Sequence, residues 1–205
     1  MKIPDHAAYK MLEKYGITAA SWAFARNFRE AEVAAENLHF PVILKADSPD
    51  IIHKMKSGCI RTAYHRDHLR KMFEAVMKGA KKQTKEINGI LMQEFIHSDI
   101  ENVHEFIIGV KHDSQFGPVI MFGAGGRLTN TKDVCFRLVP IKHADAEEML
   151  KEPIIASLVT RDDTIVDVLM KVSKLAEFEH ISELDINPLL VSDKGVLAAD
   201  VRILM

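Results

Sequence analysis

The chain has 205 residues, of which 47% are hydrophobic and 27% charged, and its formal net charge is -2. This is ordinary globular composition, enough for one substantial domain or two closely associated subdomains. A near-neutral charge argues against a general nucleic-acid surface, which needs excess Lys and Arg to neutralise phosphates. We therefore expect no nucleic-acid partner.

The location of the protein is predicted from its termini, its apolar runs and its cysteines. The N-terminus has no apolar signal core, and no apolar run approaches the roughly 20 residues that span a bilayer. Cys59 and Cys135 lie far apart and lack metal-ligand spacing, so reduced thiols are the simpler interpretation. These features predict a cytoplasmic protein without membrane association.

Helical and strand periodicities alternate along the chain, which predicts a mixed α/β (α+β) fold. A first helix is expected over residues 5–15, ended by Gly16 in the left-handed conformation. A second is expected over residues 29–38. Residues 42–44 then read as a short buried strand that ends at Lys45.

Residues 46–58 are too polar for a core and predict a loop, anchored by Ile51 and Ile52. A strand is expected over residues 59–64. The clearest helix follows, with Asp67 near its N-cap and one apolar stripe. That stripe consists of Leu69, Met72, Phe73, Val76, Met77 and Ala80.

The second half of the chain is dominated by strand signals. A polar stretch at 81–88 places the best subdomain boundary near residue 85. The expected strands cover 90–92, 106–108, 119–122, 135–141, 184–191 and 196–203. A long amphipathic helix around Ile165 to Ala176 precedes the last two strands, and a hairpin-type turn at 192–195 separates them.

The polar loop carries the first candidate chemistry. Lys45 at a strand end can neutralise phosphate oxygens, and a neutral imidazole such as that of His53 can accept a phosphoryl group. The alternative is that Lys45 ends an edge strand and His53 is a solvated loop residue. A glycine-rich turn at 123–126 is a weaker signal, since it lacks the spacing of a P-loop.

The C-terminal strands carry the second set of candidate functional residues. Strand alternation places Asp185 and Asn187 on one face and Leu184 and Ile186 on the other. A hairpin can bring Asn187 close to Asp200, and few oxygen ligands completed by water and phosphates suit Mg²⁺. The alternative is a strand exit at Asn187 with Asp200 solvated.

The motifs of this chain, taken together in their order along the sequence, resemble those of the ATP-grasp beta subunit of ADP-forming acetyl- or acyl-CoA synthetases. Succinyl-CoA synthetase beta chains are more distant relatives. The resemblance covers nearly the whole chain. Its motifs are Lys45 to Ser48, Ile51-Ile52-His53-Lys54, Gln93-Glu94, Gln115 to Gly123, Glu183-Leu184-Asp185-Ile186-Asn187-Pro188 and Ala199-Asp200-Val201-Arg202.

The resemblance implies an ATP-grasp fold with ATP held in a cleft between two subdomains. The expected domains are an N-terminal helical segment at 1–20, a small subdomain at 21–85 and a large one at 86–205. The implied site roles are phosphate contact for Lys45, adenine contact at a hinge for Glu94, nucleotide or ribose contact for Glu105, Mg²⁺ ligation for Asn187 and Asp200, and phosphoryl relay for His53.

The implied reaction is acyl-CoA + ADP + phosphate ⇌ acid + ATP + CoA, through phosphohistidine. The resemblance places the CoA-binding part and the main phosphohistidine on an alpha subunit. The expected assembly is therefore a hetero-oligomer, and this chain alone should be inactive.

Two departures from the family pattern favour an alternative. After His53-Lys54 the family has a small hydroxyl residue and an acid, where this chain has Met55 and Lys56. After the paired glycines the family runs to a glutamate, which is missing near Asn130. The alternative function is a non-catalytic or regulatory ATP-grasp subunit that binds nucleotide without phosphoryl transfer.

Overall fold

The computed structural model describes residues 1–51, 57–96, 103–125, 133–152, 163–192 and 195–205. Within these ranges the chain is a mixed α/β protein, as the alternating periodicities predict. It divides into two compact units. The N-terminal unit comprises Met1–Ala8 and Ala20–Ile96, and the C-terminal unit comprises Tyr9–Ala19 and His97–Met205.

The N-terminal unit is a sheet covered by helices on one face. Its elements are β1 (Trp22–Ala25), α2 (Phe28–Ala34), β2 (Val42–Asp47), β3 (Ile60–Ala63), α3 (Leu69–Lys81) and β4 (Gly89–Glu94). The described strands pair antiparallel in the order β1-β4-β2-β3. Helix α1 (Asp5–Lys14) begins in this unit and continues into the next.

Strand alternation separates the two faces of this sheet. Val42, Leu44 and Ala46 of β2 belong to the apolar cluster that also contains residues of α2 and α3. Lys45 alternates with them and therefore lies on the face turned away from these helices.

The C-terminal unit contains a larger antiparallel sheet. Its elements are β5 (His104–Asp113), β6 (Gly117–Ala124), β7 (Val134–Leu138), α4 (His143–Met149), α5 (Asp163–Phe178), β8 (Glu183–Ser192), β9 (Gly195–Ala198) and β10 (Val201–Leu204). The strand order is β10-β8-β5-β6-β7, and β9 pairs with the second half of β8. Burial of Ile165, Leu169 and Val172 on α5 supplies the core against one face of this sheet.

Several expectations are confirmed and several are wrong. Gly16 has φ 68° at the end of α1, as expected for a left-handed cap. Asp67 does not cap α3, because it lies inside a preceding 3₁₀ turn, Arg66–His68, and His68 is the cap residue. The sequence interpretation also missed β1 and α4. None of the helices in the described ranges is long and apolar enough to cross a membrane.

Candidate functional site

Lys45 is a buried cation at the centre of the N-terminal sheet. It pairs with Ile60 of β3 and Leu91 of β4, and its residue is only 6% exposed. Gln93, also buried, shares this face because it pairs with Ile43. A lysine this buried requires partners for its charge. The sequence expected Lys45 at a strand end, but β2 extends two residues further, to Asp47.

The segment after Lys45 is held in place up to its last described residue. The Asp47 carboxylate is fully buried and accepts hydrogen bonds from the His6 backbone N–H at 2.9 Å and from the Asn88 side-chain amide at 3.2 Å. Ser48 is also buried. His53, with Lys54 and Lys56, lies outside the described residues.

Glu94 ends β4 and is engaged by a histidine. Its Oε1 accepts from the His39 backbone N–H at 2.7 Å and lies 2.9 Å from His39 Nδ1. Because Glu94 pairs with Val42, its side chain leaves the sheet on the opposite face from Lys45. The structure therefore does not place the side chains of Glu94 and Lys45 together on one face.

Strand β8 has one apolar face and one polar face. Leu184 and Ile186 are buried, while Asp185 and Asn187 are only partly buried. On the neighbouring strand β5, Gly109 pairs with Asp185 and Lys111 pairs with Glu183. The predicted alternation of polar and apolar residues in β8 is confirmed.

The sheet is irregular at both predicted metal ligands, Asn187 in β8 and Asp200 in the expected strand at 196–203. The register of β5 against β8 shifts by one residue between Phe106 and Ile108, so Asn187 and Pro188 together oppose one residue of β5. Such a bulge re-aims side chains and accommodates a proline, which has no N–H for the ladder. On the other side, the expected strand at 196–203 breaks between Ala198 and Val201.

The break and the bulge face each other. Asn187 N donates to Asp200 O at 3.2 Å, and Ala199 N donates to Pro188 O at 3.0 Å. Asn187 is partly buried and Asp200 is exposed. The structure thus brings the backbones of Asn187 and Asp200 together, where the bulge of β8 faces the gap between β9 and β10.

An acidic pair and an arginine border this position. Arg202 contacts Glu183 and lies 3.8 Å from the Asp185 carboxylate. Burial raises the pKa of the Asp185 carboxyl above its ordinary value; Arg202 opposes this effect, and Glu183 and Asp200 add to it. The Arg202 Nε is buried and has no hydrogen-bond partner among the described residues. An orphaned donor of this kind is satisfied when water or an anion binds beside it.

Helix α1 supports this site from within the C-terminal unit. The fully buried Tyr9 donates its hydroxyl to Ala199 O at 3.2 Å, directly before Asp200. Ala198 N donates to Thr18 O at 2.9 Å. Sequence reasoning missed Tyr9 and Arg202, since neither contact leaves a local signal in the sequence.

Glu105 lies on β5, on the sheet face that carries Lys111, and its side chain is partly buried. Its carbonyl accepts from Gly125 N at 2.9 Å, and Ala124 N donates to Asp133 O at 3.0 Å. These two amides of the glycine-rich turn are therefore used within the fold. Gly126 and the segment near Asn130 lie outside the described residues.

Two other kinds of site are unsupported in the described residues. No cluster of three or more His, Cys, Asp and Glu side chains is arranged around a metal position there. Cys59 and Cys135 are buried and free, and burial raises the pKa of the Cys135 thiol to about 11. That thiol is therefore protonated near neutral pH and is a poor nucleophile.

Comparison with known proteins identifies the family. The family model described as "ATP-grasp domain" matches residues 2–205. The chain belongs to the ATP-grasp family. The chain is also homologous to the β subunits of ADP-forming acetate–CoA ligases. The subunit β of acetate–CoA ligase [ADP-forming] I from Pyrococcus furiosus is 34% identical, over 97% of this chain and 89% of that protein.

Two further relatives extend the comparison. Acetate–CoA ligase [ADP-forming] I from Archaeoglobus fulgidus is 36% identical over 95% of this chain, but the match spans only 30% of that protein. The dinucleotide-forming acetyl-coenzyme A synthetase 1 of Ca. Korarchaeum cryptofilum, solved with coenzyme A and Mg-AMPPCP, has a TM-score of 0.81. That structure is 31% identical, over all of this chain and 92% of that one.

The Asp185 carboxylate predicts a measurable pH effect. Because its pKa is raised in the folded state, ionised Asp185 costs the fold stability above that pKa, and the cost vanishes below the ordinary Asp pKa of about 3.9. We expect Asp185→Asn to raise the free energy of unfolding at pH 7, measured by urea denaturation without metal. The gain should disappear as the pH falls through the Asp range.

The matched control is Glu183→Gln, which removes a carboxylate that pairs with Arg202. It should not raise stability at pH 7, because its loss leaves Arg202 with a weaker partner. A lower stability of Asp185→Asn at pH 7 would contradict the interpretation.

Proposed function

We propose that this ATP-grasp chain is the nucleotide-binding part of an ADP-forming acyl-CoA synthetase. The reaction is acyl-CoA + ADP + phosphate ⇌ acid + ATP + CoA, through phosphohistidine. The observation that carries the proposal is the meeting of the β8 bulge with the β9–β10 break. There the backbones of Asn187 and Asp200, two residues with side-chain oxygens, meet in a chain homologous to ligase β subunits, which supports the proposal.

Lys45 is proposed to contact the nucleotide phosphates. A lysine on a sheet face turned away from the covering helices offers an ammonium to an anion without tight geometric demands. Its burial strengthens that attraction, because charges interact more strongly where water is excluded. Glu94 and Glu105 are proposed as further nucleotide contacts, at the hinge and at the ribose respectively.

Asn187 and Asp200 are proposed to hold Mg²⁺. An amide oxygen and a carboxylate fit the preference of this ion for few protein oxygens completed by water and substrate phosphates. When bound, the ion would neutralise charge on the phosphate oxygens. The neighbouring Asp185, whose pKa is raised mainly by burial, would gain a favourable electrostatic partner.

His53 is proposed to relay the phosphoryl group. Its neutral ring nitrogen would form the N–P bond while the bond from the γ-phosphorus to the bridging oxygen breaks and ADP leaves. Transfer of this kind depends on positioning and on charge stabilisation rather than on elaborate chemistry. The lysines next to His53 in sequence favour the anionic transfer state.

The CoA-binding part is proposed to come from an alpha partner. The P. furiosus relative is a subunit of about this length, and the A. fulgidus relative is about three times as long. The name of the first relative implies a partner subunit, and about two thirds of the second relative lies beyond the match, which supports the proposal. A cytoplasmic location stays an expectation from the sequence.

The second candidate function is non-catalytic nucleotide binding. Lys56 replaces an acid in the family pattern, and the acid near Asn130 is missing. These departures concern phosphoryl transfer, whereas Lys45, Asn187 and Asp200 are all retained. The two candidate functions therefore differ in whether His53 relays a phosphoryl group, and both include nucleotide binding.

The first test is Mg²⁺-dependent nucleotide binding. We expect Lys45→Met to weaken Mg-ADP binding roughly 10- to 100-fold, since a hydrogen bond to a charged group contributes about 1.5–3 kcal/mol. Asp200→Ala should reduce the affinity in Mg²⁺ to the level that wild type shows in EDTA. Isothermal titration calorimetry measures both.

Controls use exposed residues of the same kind. Lys78→Met and Glu177→Ala should bind like wild type, because both side chains are exposed on helices. Equal affinity with and without EDTA, or unchanged affinity in both site variants, would count against the proposed site.

The second test separates the two candidate functions. Wild type incubated with Mg-ATP and the alpha partner should gain one phosphoryl group, detected by intact mass spectrometry under alkaline conditions that preserve phosphohistidine. His53→Ala should not gain it and should lose acyl-CoA turnover. The control His65→Ala removes an exposed histidine and should behave like wild type.

Absence of the phosphoryl group in wild type, together with full turnover in His53→Ala, would refute the relay. With intact Mg-ADP binding, that result would favour the non-catalytic function.

A further inference from the structure

The face of the N-terminal sheet that carries Lys45 also carries two aromatic rings. Ala23 and Ala25 of β1 pack with the apolar cluster that contains residues of α2 and α3. Trp22 and Phe24 alternate with these alanines and therefore lie on the opposite face, which is the face of Lys45. Both aromatic residues are partly buried. This face thus combines aromatic surface with a buried ammonium.

The strand register fixes the position of Trp22 relative to Lys45. Trp22 pairs with Gln93, and Gln93 pairs with Ile43, which lies two residues before Lys45. Trp22 is therefore two strands and two residues away from Lys45, which places their Cα atoms about 12 Å apart. The base and the terminal phosphate of an extended nucleotide are separated on the same scale.

On the other side of Lys45, the sheet is occupied by the N-terminal residues of the chain. The His6 ring stacks on Phe24 with centroids 4.3 Å apart, and His6 Nδ1 lies 2.6 Å from Asp47 Oδ2. Lys2 Nζ donates to two carbonyls of residues 48–51, each at 3.2 Å. These contacts favour a ligand that extends from Lys45 toward Trp22 and not toward Asp47.

The side of the sheet that carries Trp22 is also the side where β4 ends at Glu94. Gln93, the strand partner of Trp22, is buried and directly precedes Glu94. Glu94 N donates to Ser21 O at 2.9 Å, which holds the start of β1 beside the end of β4. Trp22 therefore lies next to the residue that is proposed, on other grounds, to contact the base at the hinge.

The chemistry of this face changes in the same order as that of a nucleotide. A nucleobase has a flat π-face, whereas the phosphates at the other end are anionic. Aromatic side chains stack on bases whatever the base, because every base has a π-face. Trp offers a large ring for such contacts. From Trp22 to Lys45, the sheet face accordingly runs from aromatic to cationic.

We propose that Trp22 stacks on the base of the nucleotide whose phosphates contact Lys45. This inference rests on the proposed role of Lys45. Trp22 touches the ligand but none of the reacting atoms, so it contributes to affinity and not to phosphoryl transfer. Since stacking does not distinguish one base from another, Trp22 should strengthen the binding of ADP and GDP alike.

The test compares Mg-ADP with Mg-pyrophosphate, which has phosphates but no base, by isothermal titration calorimetry. Trp22→Ala should weaken Mg-ADP binding roughly 5- to 150-fold, the range for loss of one stacked base. Its Kd for Mg-pyrophosphate should change by less than about twofold, which also shows that the Lys45 side of the face is intact. Lys45→Met should weaken the binding of both ligands.

Two further variants separate stacking from apolar packing. Trp22→Phe keeps an aromatic ring and should recover most of the Mg-ADP affinity. Trp22→Leu keeps apolar bulk without a ring and should not. The matched control is Tyr64→Ala, which removes an exposed aromatic ring of the same unit and should bind both ligands like wild type.

Fluorescence offers a direct readout, because Trp22 is the single tryptophan of the chain. Saturation of wild type with Mg-ADP should change the emission of Trp22, whereas saturation with Mg-pyrophosphate should leave it unchanged.

The outcomes distinguish this inference from the proposed function. Wild-type Mg-ADP affinity in Trp22→Leu, or equal losses of affinity for both ligands in Trp22→Ala, would overturn the stacking contact and leave the role of Lys45 intact. Wild-type binding of both ligands by Lys45→Met would refute the proposed phosphate contact, and this inference with it.

Discussion

The first half of strand β8 buries its apolar face fully and its polar face only partly, and the candidate site depends on this difference. Leu184 and Ile186 are buried in the core of the C-terminal unit, and this burial favours one register of the strand. A one-residue slip would turn every side chain to the opposite face. The core therefore determines where Asp185 and Asn187 point, and the polar face follows from apolar packing.

The two interruptions of the sheet set this face apart from a regular strand. A regular ladder would continue through Asn187 and Asp200, and both residues would be ordinary strand positions. The bulge at Asn187–Pro188 and the break before Val201 instead take both residues out of the regular ladder. Nearby, burial raises the pKa of Asp185, and the Arg202 Nε has no hydrogen-bond partner in the part of the chain that the structure describes. Binding sites often carry such local costs, which the surrounding core offsets.

In the N-terminal unit, buried charged groups restrict the conformation of the backbone. Asp47, Lys45 and Lys2 are all largely removed from water. A buried charge without partners is expensive, so each of these groups restricts the chain around it. The partners of Asp47 come from His6 and Asn88, each 41 residues away in sequence.

The sequence was most informative where a local pattern has a structural meaning. Alternation in residues 183–188 predicted the face shared by Asp185 and Asn187, and Gly16 predicted the end of α1. Pro188 within an apolar run is a bulge signal that was not used. Helix α4 was missed because it is short. Its start is nevertheless marked by Asp145, whose carboxylate accepts from Lys142 N at 2.7 Å.

The contacts of Lys2, His6 and Tyr9 could not be predicted in this way. Their hydrogen bonds to Asp47, Ser48, Ile51 and Ala199 join residues that lie between 41 and 190 positions apart, and no periodicity or spacing encodes them. Asp67 lies next to the N-cap of α3 as expected, but the cap itself is His68, because a 3₁₀ turn precedes the helix. Tertiary packing decided each of these features.

The most direct test of the account is a crystal structure of this chain with Mg²⁺ and a non-hydrolysable ATP analogue. The account predicts a metal ion with oxygens of Asn187 and Asp200 at about 2.0–2.1 Å. It also predicts Lys45 Nζ within hydrogen-bonding distance of a phosphate oxygen. A nucleotide bound without contact to Lys45, or a metal ion held by neither Asn187 nor Asp200, would contradict it.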